Sequence, residues 1–372
     1  MKHNAATIIA QYLKNAQMIL NRYLFKEIAL NFIATLLVLS LIIVGNTFVR
    51  LLASASSGDL PLDLLGNMLL FGSLKNLLRL VPVALLIGMM LAFSRLYRDA
   101  EMVALRASGV GPKEFYRAIF SFVIPLTLLM AVAVLVFSPI LETQNQALKK
   151  EMYQRPEAAG IPPGQFVTAG NKTNNYTVLA EGIDDSRTVM ERFFIRVQDG
   201  ANEILVWAQS AILFVDSATG ERFLQIRDGY RYENDPERGG MSIMRFKEHG
   251  VRIPLRSFVR SMSIESVPTL ELLALPSPAN QAELQWRLSI VLSTLVLALL
   301  AFPLSYTAPR QGRFSKIAVA ILLYGLYANV LAMLRGMMER GEVPAWLGMW
   351  WVHVLMVLLA VWLLHKYYGK PA

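Results

Sequence analysis

Residues 28–49 read IALNFIATLLVLSLIIVGNTFV, a run of 22 residues that contains no charged side chain. A helix needs about 20 apolar residues to cross the hydrocarbon core of a bilayer, so this run predicts a membrane-spanning helix. Four similar runs follow, at 118–141, 288–309, 317–334 and 343–364. A further span is predicted from about residue 76 to residue 93, preceded by an interfacial segment at 60–74. The sequence therefore predicts an α-helical membrane protein with six transmembrane helices.

The composition agrees with a membrane protein. Of 372 residues, 55% are hydrophobic and only 17% are charged, whereas soluble domains carry roughly 45–50% and about 25%. Mean hydropathy is +0.43, which excludes a disordered chain and an ordinary soluble enzyme. The absence of cysteine excludes disulfides and thiolate metal sites. The four histidines are scattered along the chain, and no Ser/His/Asp group clusters, so we expect no cofactor, no metal site and no catalytic residue.

The distribution of charge predicts the orientation of the spans. If the N-terminus is cytoplasmic, the cytoplasmic segments hold 14 Lys and Arg against four Asp and Glu, and the short external loops hold five against four. Basic residues concentrate on the cytoplasmic side of membrane proteins. We therefore expect both termini in the cytoplasm, and we attribute the net charge of +9 mainly to topology, with no nucleic acid as partner.

An external domain is predicted between the third and fourth spans, at 142–287. It contains no apolar run long enough to cross a membrane and carries a net charge of −2. Short β-type runs separated by turn signals predict an all-β domain, and a sandwich, a jelly roll and a barrel all remain open at this point. The runs lie at 176–179, 192–197, 204–207, 211–215, 222–226 and 242–246, with turns at 199–200, 219–220, 228–229 and 239–240.

The loop after the second span, RDAEMVALRASG at 98–109, predicts a short amphipathic helix that ends near Gly109. Its apolar residues share one side, and Glu101 lies in its first turn. Such a helix suits docking into a groove of a cytoplasmic partner. The alternative is an interfacial helix that is solvated by lipid headgroups.

No nucleotide site is predicted in this chain. The segment GNKT at 170–173 lacks the Gly-Lys-Ser/Thr order of a phosphate-binding loop. Any ATP hydrolysis must come from another subunit. The spans contain Asn31, Asn46, Asn329 and His353 but no Asp or Glu. We expect these polar groups to face neighbouring helices, and the missing carboxylates disfavour a proton- or sodium-coupled transporter.

Basic residues occur at the external ends of the first, second and fifth spans. They suit contact with the phosphates of a lipid in the outer leaflet, since Arg binds phosphate through two parallel hydrogen bonds. The alternative is snorkelling, or pairing with Asp59, Asp63, Glu339 or Glu342. Arg50, which directly ends the first span, is the strongest candidate. The set consists of Arg50, Lys75, Arg79, Arg335 and Arg340, of which we predict the first four as substrate-binding.

Several segments resemble the LptF/LptG family of lipopolysaccharide export permeases. They are ILNRYLFKE at 19–27, EMVALRASG at 101–109, ELQWR at 283–287, PLS at 303–305 and PRQGR at 309–313. The resemblance extends from Met18 to about Tyr367. The segments WR and PRQGR are more similar to the LptF branch of the family than to the LptG branch.

The resemblance implies an ABC-type exporter of the inner membrane. A heterodimer with the paralogous permease LptG, driven by a dimer of an LptB-like cytoplasmic ATPase, would extract lipopolysaccharide from the outer leaflet. A periplasmic β-jellyroll would pass it to a bitopic LptC-like partner. The family's gates are its first and fifth spans.

The resemblance also implies roles for residues. The ATPase-coupling helix falls at about 98–110, with Glu101 at the contacting acidic position and Arg98, Leu105 and Gly109 around it. Arg50 matches a basic position of the family, whereas a second basic position one turn earlier is Thr47 here.

The predicted domains are an N-terminal extension at 1–17, helices one to three at 18–141, the β domain at 142–287 and helices four to six at 288–372. Because family members usually begin at the equivalent of Met18, we interpret 1–17 as the product of an upstream start codon. The rival function is a non-transporting envelope sensor or scaffold whose β domain binds a ligand. Six spans exceed what an anchor needs, and such a protein would leave the coupling-type helix unexplained.

Overall fold

A computed structural model describes residues 2–56, 60, 62–154, 164–170, 174–184, 189–199, 202–215, 222–235, 240–252, 263–306 and 313–369. The chain divides into two compact units. The helical unit comprises Met1–Gly45, Gly72–Thr143 and Ser263–Ala372, and the β unit comprises Asn46–Phe71 and Gln144–Met262. Some features of the sequence analysis lie outside the described residues, namely residues 171–173 of the GNKT segment, the turn at 219–220 and most of the PRQGR segment.

Helices precede and follow the β sheet along the chain. A π-helical turn at Ala133–Phe137 joins α4 to α5, and a 3₁₀ turn at Ile264–Ser266 precedes α6. The helices are α1 (Lys2–Ser56), α2 (Leu62–Arg98), α3 (Glu101–Ala107), α4 (Pro112–Val132), α5 (Ser138–Gln154), α6 (Thr269–Ala274), α7 (Pro278–Leu304), α8 (Arg313–Glu339) and α9 (Trp350–Tyr368).

The six predicted spans are confirmed, because six described helices are long and apolar enough to cross a membrane. They are Gln17–Ser56, Asp63–Arg98, Pro112–Lys150, Pro278–Leu304, Lys316–Glu339 and Trp350–Tyr368. A helix can satisfy its backbone hydrogen bonds within its own segment, which is the requirement that hydrocarbon imposes.

Some predicted boundaries differ from those observed. The segment at 60–74 is not a separate interfacial element, because α2 runs without a break from Leu62. The last span begins at Trp350 and not at 343, since Pro344 and Gly348 lie in a turn where Gly348 has a φ of +33°. The predicted end of the β domain at 287 falls inside α7, whose first turns are rich in polar residues.

The core of the helical unit surrounds α7, which packs against α4, α8 and α9. Small residues such as Ala298 and Ala301 are fully buried and let these helices approach closely. A chain of hydrogen bonds crosses this core: His353 contacts the Ser289 hydroxyl through Nε2 at 2.9 Å and the Tyr327 hydroxyl through Nδ1 at 2.7 Å. His353 therefore faces neighbouring helices, as the sequence predicts, whereas Asn329 is exposed and donates to the Gly325 carbonyl of its own helix.

The inserted β domain is confirmed as one antiparallel sheet of six strands in the order β1-β2-β3-β4-β5-β6. Each described strand pairs with its neighbour in sequence, so the connectivity is that of a meander. The strands are β1 (Val167–Gly170), β2 (Asn174–Ile183), β3 (Val189–Asp199), β4 (Asn202–Val215), β5 (Arg222–Asp235) and β6 (Gly240–Arg252).

A crease crosses the sheet at one row of residues. Arg192 and Asp228 adopt positive φ values of 47° and 49° there, which is rare for residues other than glycine. Backbone pairs are found on both sides of the row, but none joins its members. The crease row consists of Glu181, Arg192, Gln209, Asp228 and Lys247.

Inward-facing residues change phase at the crease. In β4, Val206 and Ala208 are buried before it and Ala211 after it, so the buried positions lie three residues apart instead of two. The same step separates Phe193 from Met190 in β3. Both halves of β2, β3 and β4 thus contribute to one apolar cluster, together with Leu224 and Ile226 of β5 and Phe246 of β6. The sequence predicts β4 as two strands and places a turn at 228–229, because the crease interrupts the alternation at these points.

The crossing of α1 and α2 depends on Gly88. A Cβ at this position would lie 2.7 Å from the Cα of Phe32 and 2.8 Å from its backbone nitrogen. Gly88→Ala should therefore force the helices apart and destabilise the helical unit by about 1–3 kcal/mol. Gly72→Ala in the same helix is the control, since its added Cβ meets nothing within 4 Å. Thermal unfolding in detergent measures the effect, and equal midpoints for the two variants would contradict the close crossing.

Candidate functional site

The contacts of the first candidate site include a set at Pro139, near the junction of α4 and α5. Pro139 lacks an N–H and cannot donate to the carbonyl of Leu135, four residues earlier, which accounts for the neighbouring π-helical turn. The hydroxyl of Thr269 donates to this carbonyl at 2.5 Å. In turn, Thr269 accepts a hydrogen bond of 2.8 Å from Nη1 of Arg287. The segment that follows the sheet is thereby attached to the α4–α5 junction.

Arg287 satisfies the rest of its guanidinium on nearby backbone and one carboxylate. Its Nη2 donates to the carbonyls of Glu265 at 3.0 Å and Val267 at 2.9 Å, and its Nε donates to Glu283 at 2.8 Å. Arg287 and Glu283 are each only 2% exposed. A buried guanidinium is tolerated when its donors are paired in this way.

Three of the predicted substrate-binding cations converge on the carboxylate of Glu265. Lys75 forms a short ion pair with it, Nη2 of Arg79 lies 3.3 Å from Oε1, and Nη1 of Arg335 lies 3.1 Å from the same oxygen. Lys75 also pairs with Glu142 at 2.5 Å. We call this set, with Arg287, Glu283 and Glu339, the Glu265 cluster.

Charge is balanced within the Glu265 cluster. Besides Glu265, Arg335 contacts Glu283 at 2.9 Å and Glu339 at 2.9 Å. Burial alone would raise the pKa of Glu265, but the hydrogen bond from Lys75 and the surrounding cations lower it from 4.5 to about 2. Glu265 is therefore a carboxylate at neutral pH.

The remaining external cations lie elsewhere. Arg50 belongs to the β unit, where its Nη2 contacts the Thr47 hydroxyl at 3.5 Å. Arg340 pairs with Glu342 at 2.5 Å on the surface, which is one of the carboxylate pairings predicted as the alternative to phosphate contact. Arg335 also has one of its predicted partners, Glu339. Asp59 lies outside the described residues.

Sequence reasoning missed the main partners of these cations. Glu265 lies 190 residues from Lys75 in the chain, so no local pattern connects them. One indication was available: Glu283 and Arg287 are four residues apart in a predicted helix, and such pairs share a face.

The second candidate site is the predicted coupling helix, α3. The structure places it at Glu101–Ala107, shorter than the predicted 98–110, because Arg98 ends α2 and Gly109 reverses the chain with a φ of +88°. Met102 is fully buried in the core and Leu105 packs partly against it, whereas Val103 is exposed. The helix is thus attached to the bundle by one face and offers the other to solvent.

Glu101 is held by residues of α1 and α2. The hydroxyl of Tyr23 donates to Oε2 of Glu101 at 2.5 Å and accepts from Nη2 of Arg95 at 2.6 Å. Arg95 also pairs with Glu27 at 3.2 Å and lies 3.6 Å from Glu101. Arg98, which is largely exposed, donates to Asp99 at 2.9 Å. We call Tyr23, Glu27, Arg95, Asp99 and Glu101 the Glu101 cluster.

The two clusters lie at opposite ends of the bundle. Lys75 and Arg95 belong to the same helix and are separated by about 30 Å at 1.5 Å per residue. This length matches the hydrocarbon thickness of a bilayer. Each ionic cluster can therefore meet one membrane–water interface.

A comparison with known proteins identifies the family. A model of the lipopolysaccharide export system permease LptF/LptG matches residues 22–366. The chain belongs to the LptF/LptG family. LptF of Escherichia coli K12 is 25% identical over 351 residues, which cover 92% of this chain and 94% of that protein. The LptF proteins of Escherichia coli O157:H7 and Shigella flexneri match to the same extent.

Membership of the LptF/LptG family confirms the resemblance drawn from the sequence segments. The chain is a multi-pass permease of a lipopolysaccharide export system, and its role is that of a transport subunit. Its assignment to the LptF branch stays a prediction, as do the roles of individual residues.

The Arg287 contacts give a first prediction for this site. Arg287→Lys keeps the charge but loses the planar fork that reaches four acceptors, so we expect destabilisation by about 2 kcal/mol. Arg340→Lys, in an exposed pair, should change stability by less than about 0.5 kcal/mol. Thermal unfolding of the purified protein measures both, and similar losses would argue against the special role of Arg287.

Glu265 gives a pH prediction. The pKa of Glu265 is about 2 in the folded protein and 4.5 ordinarily. The ionised carboxylate therefore stabilises the folded state by roughly 3 kcal/mol above pH 4.5. This contribution is lost as the pH falls toward 2. The difference in unfolding midpoint between the wild type and Glu265→Gln should shrink by about half from pH 6 to pH 3. A constant difference over this range would count against the ion pairs.

Proposed function

We propose that the chain is the membrane-spanning subunit of an ABC-type exporter, which extracts lipopolysaccharide from the inner membrane and passes it through its periplasmic β unit toward the outer membrane. The observation that carries this proposal is the family match at 22–366, which includes both the spans and the inserted sheet. Charge bias supports a topology with both termini in the cytoplasm.

The energy source is a partner ATPase, an LptB-like dimer that binds α3. The exposed Val103 and the half-exposed Glu101 provide an apolar and an acidic contact, and Arg98, Leu105 and Gly109 shape and position the helix. Because Met102 is buried in the bundle, movement of α3 is transmitted to the spans. The Tyr23 and Arg95 contacts add a direct link from Glu101 to α1 and α2.

The β unit supplies an apolar route for the acyl chains. Moving a lipid out of the bilayer costs about 0.8 kcal/mol for each CH₂ that is exposed to water, so the chains must stay covered. Phe193 and Phe246 belong to the apolar cluster on the inner face of the creased sheet. The edge strand β6 has exposed apolar side chains, including Met241 and Ile243. This edge suits continuation of the route by an LptC-like partner.

A paralogous permease, LptG, completes the membrane part. Large apolar side chains remain exposed along α1 and α8, such as Leu41 at 69% and Leu322 at 73%. These faces suit lipid and a second permease, in agreement with gates formed by the first and fifth spans.

Phosphates of the substrate are met by the external cations. Arg50 is the best placed, since it has no carboxylate partner among the described residues. Lys75, Arg79 and Arg335 are a second group, and their charge is already balanced by carboxylates.

Glu101 provides the test of coupling. Glu101→Ala should leave membrane insertion intact but reduce ATP-dependent release of lipopolysaccharide from proteoliposomes by about tenfold or more, because the acidic contact and the link to Tyr23 are both lost. Co-purification of the ATPase is measured on the same samples.

Glu342→Ala is the control, since it removes a carboxylate from an exposed ion pair with Arg340, outside the Glu101 cluster. It should retain release. Normal release together with normal ATPase co-purification in Glu101→Ala would refute the coupling role. A chain that never co-purifies with an ATPase would favour the sensor or scaffold function instead.

A further inference from the structure

The Glu265 cluster has the form of an anion site that is already filled. Lys75, Arg79 and Arg335 come from two different helices, and all three direct nitrogen atoms at the carboxylate of Glu265. A single carboxylate offers two oxygens to these three cations, two of which, Lys75 and Arg335, also pair with other glutamates. A tetrahedral phosphate, with three terminal oxygens and up to two charges, would use all three more fully.

Two of the three cations keep other partners without Glu265. Lys75 retains Glu142 at 2.5 Å, and Arg335 retains contacts to two other glutamates in the cluster. They are therefore preorganised for an incoming anion. The side chain of Arg79 is 41% exposed, so the cluster is open to solvent on that side.

The backbone of Glu265 is also fixed independently of its side chain. Its carbonyl accepts from Arg287 at 3.0 Å, and the next turn is closed by the Ser266 N–H, which donates to the carbonyl of Ser263 at 2.8 Å. The carboxylate can therefore leave the cations by rotation of its side chain alone, without unfolding the 3₁₀ turn at Ile264–Ser266.

We infer that Glu265 is an internal substitute for a phosphate, which a phosphate monoester displaces from Lys75, Arg79 and Arg335. This inference rests on the proposed function and adds a mechanism of regulation to it. The site is closed by Glu265 when no substrate is present. A phosphorylated headgroup that enters on the Arg79 side displaces the carboxylate and frees the Glu265 side chain.

Binding to the purified full-length protein with its co-purifying partners tests the exchange. Three probes are compared in detergent: a diphosphorylated lipid A in mixed micelles, the same glycolipid without phosphates, and inorganic phosphate. Glu265→Gln removes the competing charge at nearly constant shape, and it should bind the phosphorylated glycolipid about tenfold more tightly. Glu342→Gln is the control, because it removes a carboxylate from an exposed ion pair outside the cluster, and its affinity should stay within about twofold of the wild type.

Glu265→Asp provides a second variant if Glu265→Gln folds poorly. Its carboxylate is shorter by one methylene, so it should compete less well and give an intermediate gain in affinity. Tighter binding of both phosphate probes supports a site for any phosphate, and tighter binding of the phosphorylated glycolipid alone supports a lipid source. Unchanged affinity for both, or equal gains with the dephosphorylated glycolipid, would overturn the inference.

The two proposals fail in different ways. If the wild type binds phosphorylated lipid A and Glu265→Gln changes nothing, the displacement is wrong but the export role stands. If ATP-dependent release is absent while Glu265→Gln still raises phosphate affinity, the site stands without the export role.

Discussion

The guanidinium of Arg287 is the interaction on which the helical unit most depends. It is buried in the third turn of the α7 core helix and is paired with one carboxylate, one hydroxyl and two backbone carbonyls. Removing a single partner of such a group leaves a buried donor or charge unsatisfied. The position of Glu265, and through it the arrangement of Lys75, Arg79 and Arg335, follows from these bonds.

The spans were predictable from the sequence because hydrocarbon leaves a helix few alternatives. A run such as 28–49 has no charge to place in water, and its length matches the bilayer. The ends of spans were less predictable. The continuous start of α2 at Leu62 is not marked by hydropathy, and the polar first turns of α7 resemble the external domain in composition. The two candidate sites differ in the same way. The helix α3 could be predicted from a local pattern, whereas the Glu265 cluster is formed by residues that are far apart in the chain.

The number of strands could be predicted only where the alternation of apolar and polar residues is unbroken. The run at 192–197 falls inside β3, and 242–246 falls inside β6. In β4 and β5 the crease interrupts the alternation of buried and exposed residues. In a sequence pattern, such an interruption is typical of a loop. Arg192 and Asp228 adopt left-handed conformations for which Asp is only moderately favoured and Arg is not. Their conformation is imposed by the neighbouring strands.

The crease also constrains the number of residues that each strand can have on either side of it. Every strand from β2 to β6 contributes one residue to the crease row, so the phase change is shared by these five strands. A single-residue insertion or deletion in β4 would leave half of that strand with its apolar side chains turned to water and its polar ones turned to the interior. Changes of chain length are therefore confined to the connections between strands, while the strands themselves can vary only in side chain.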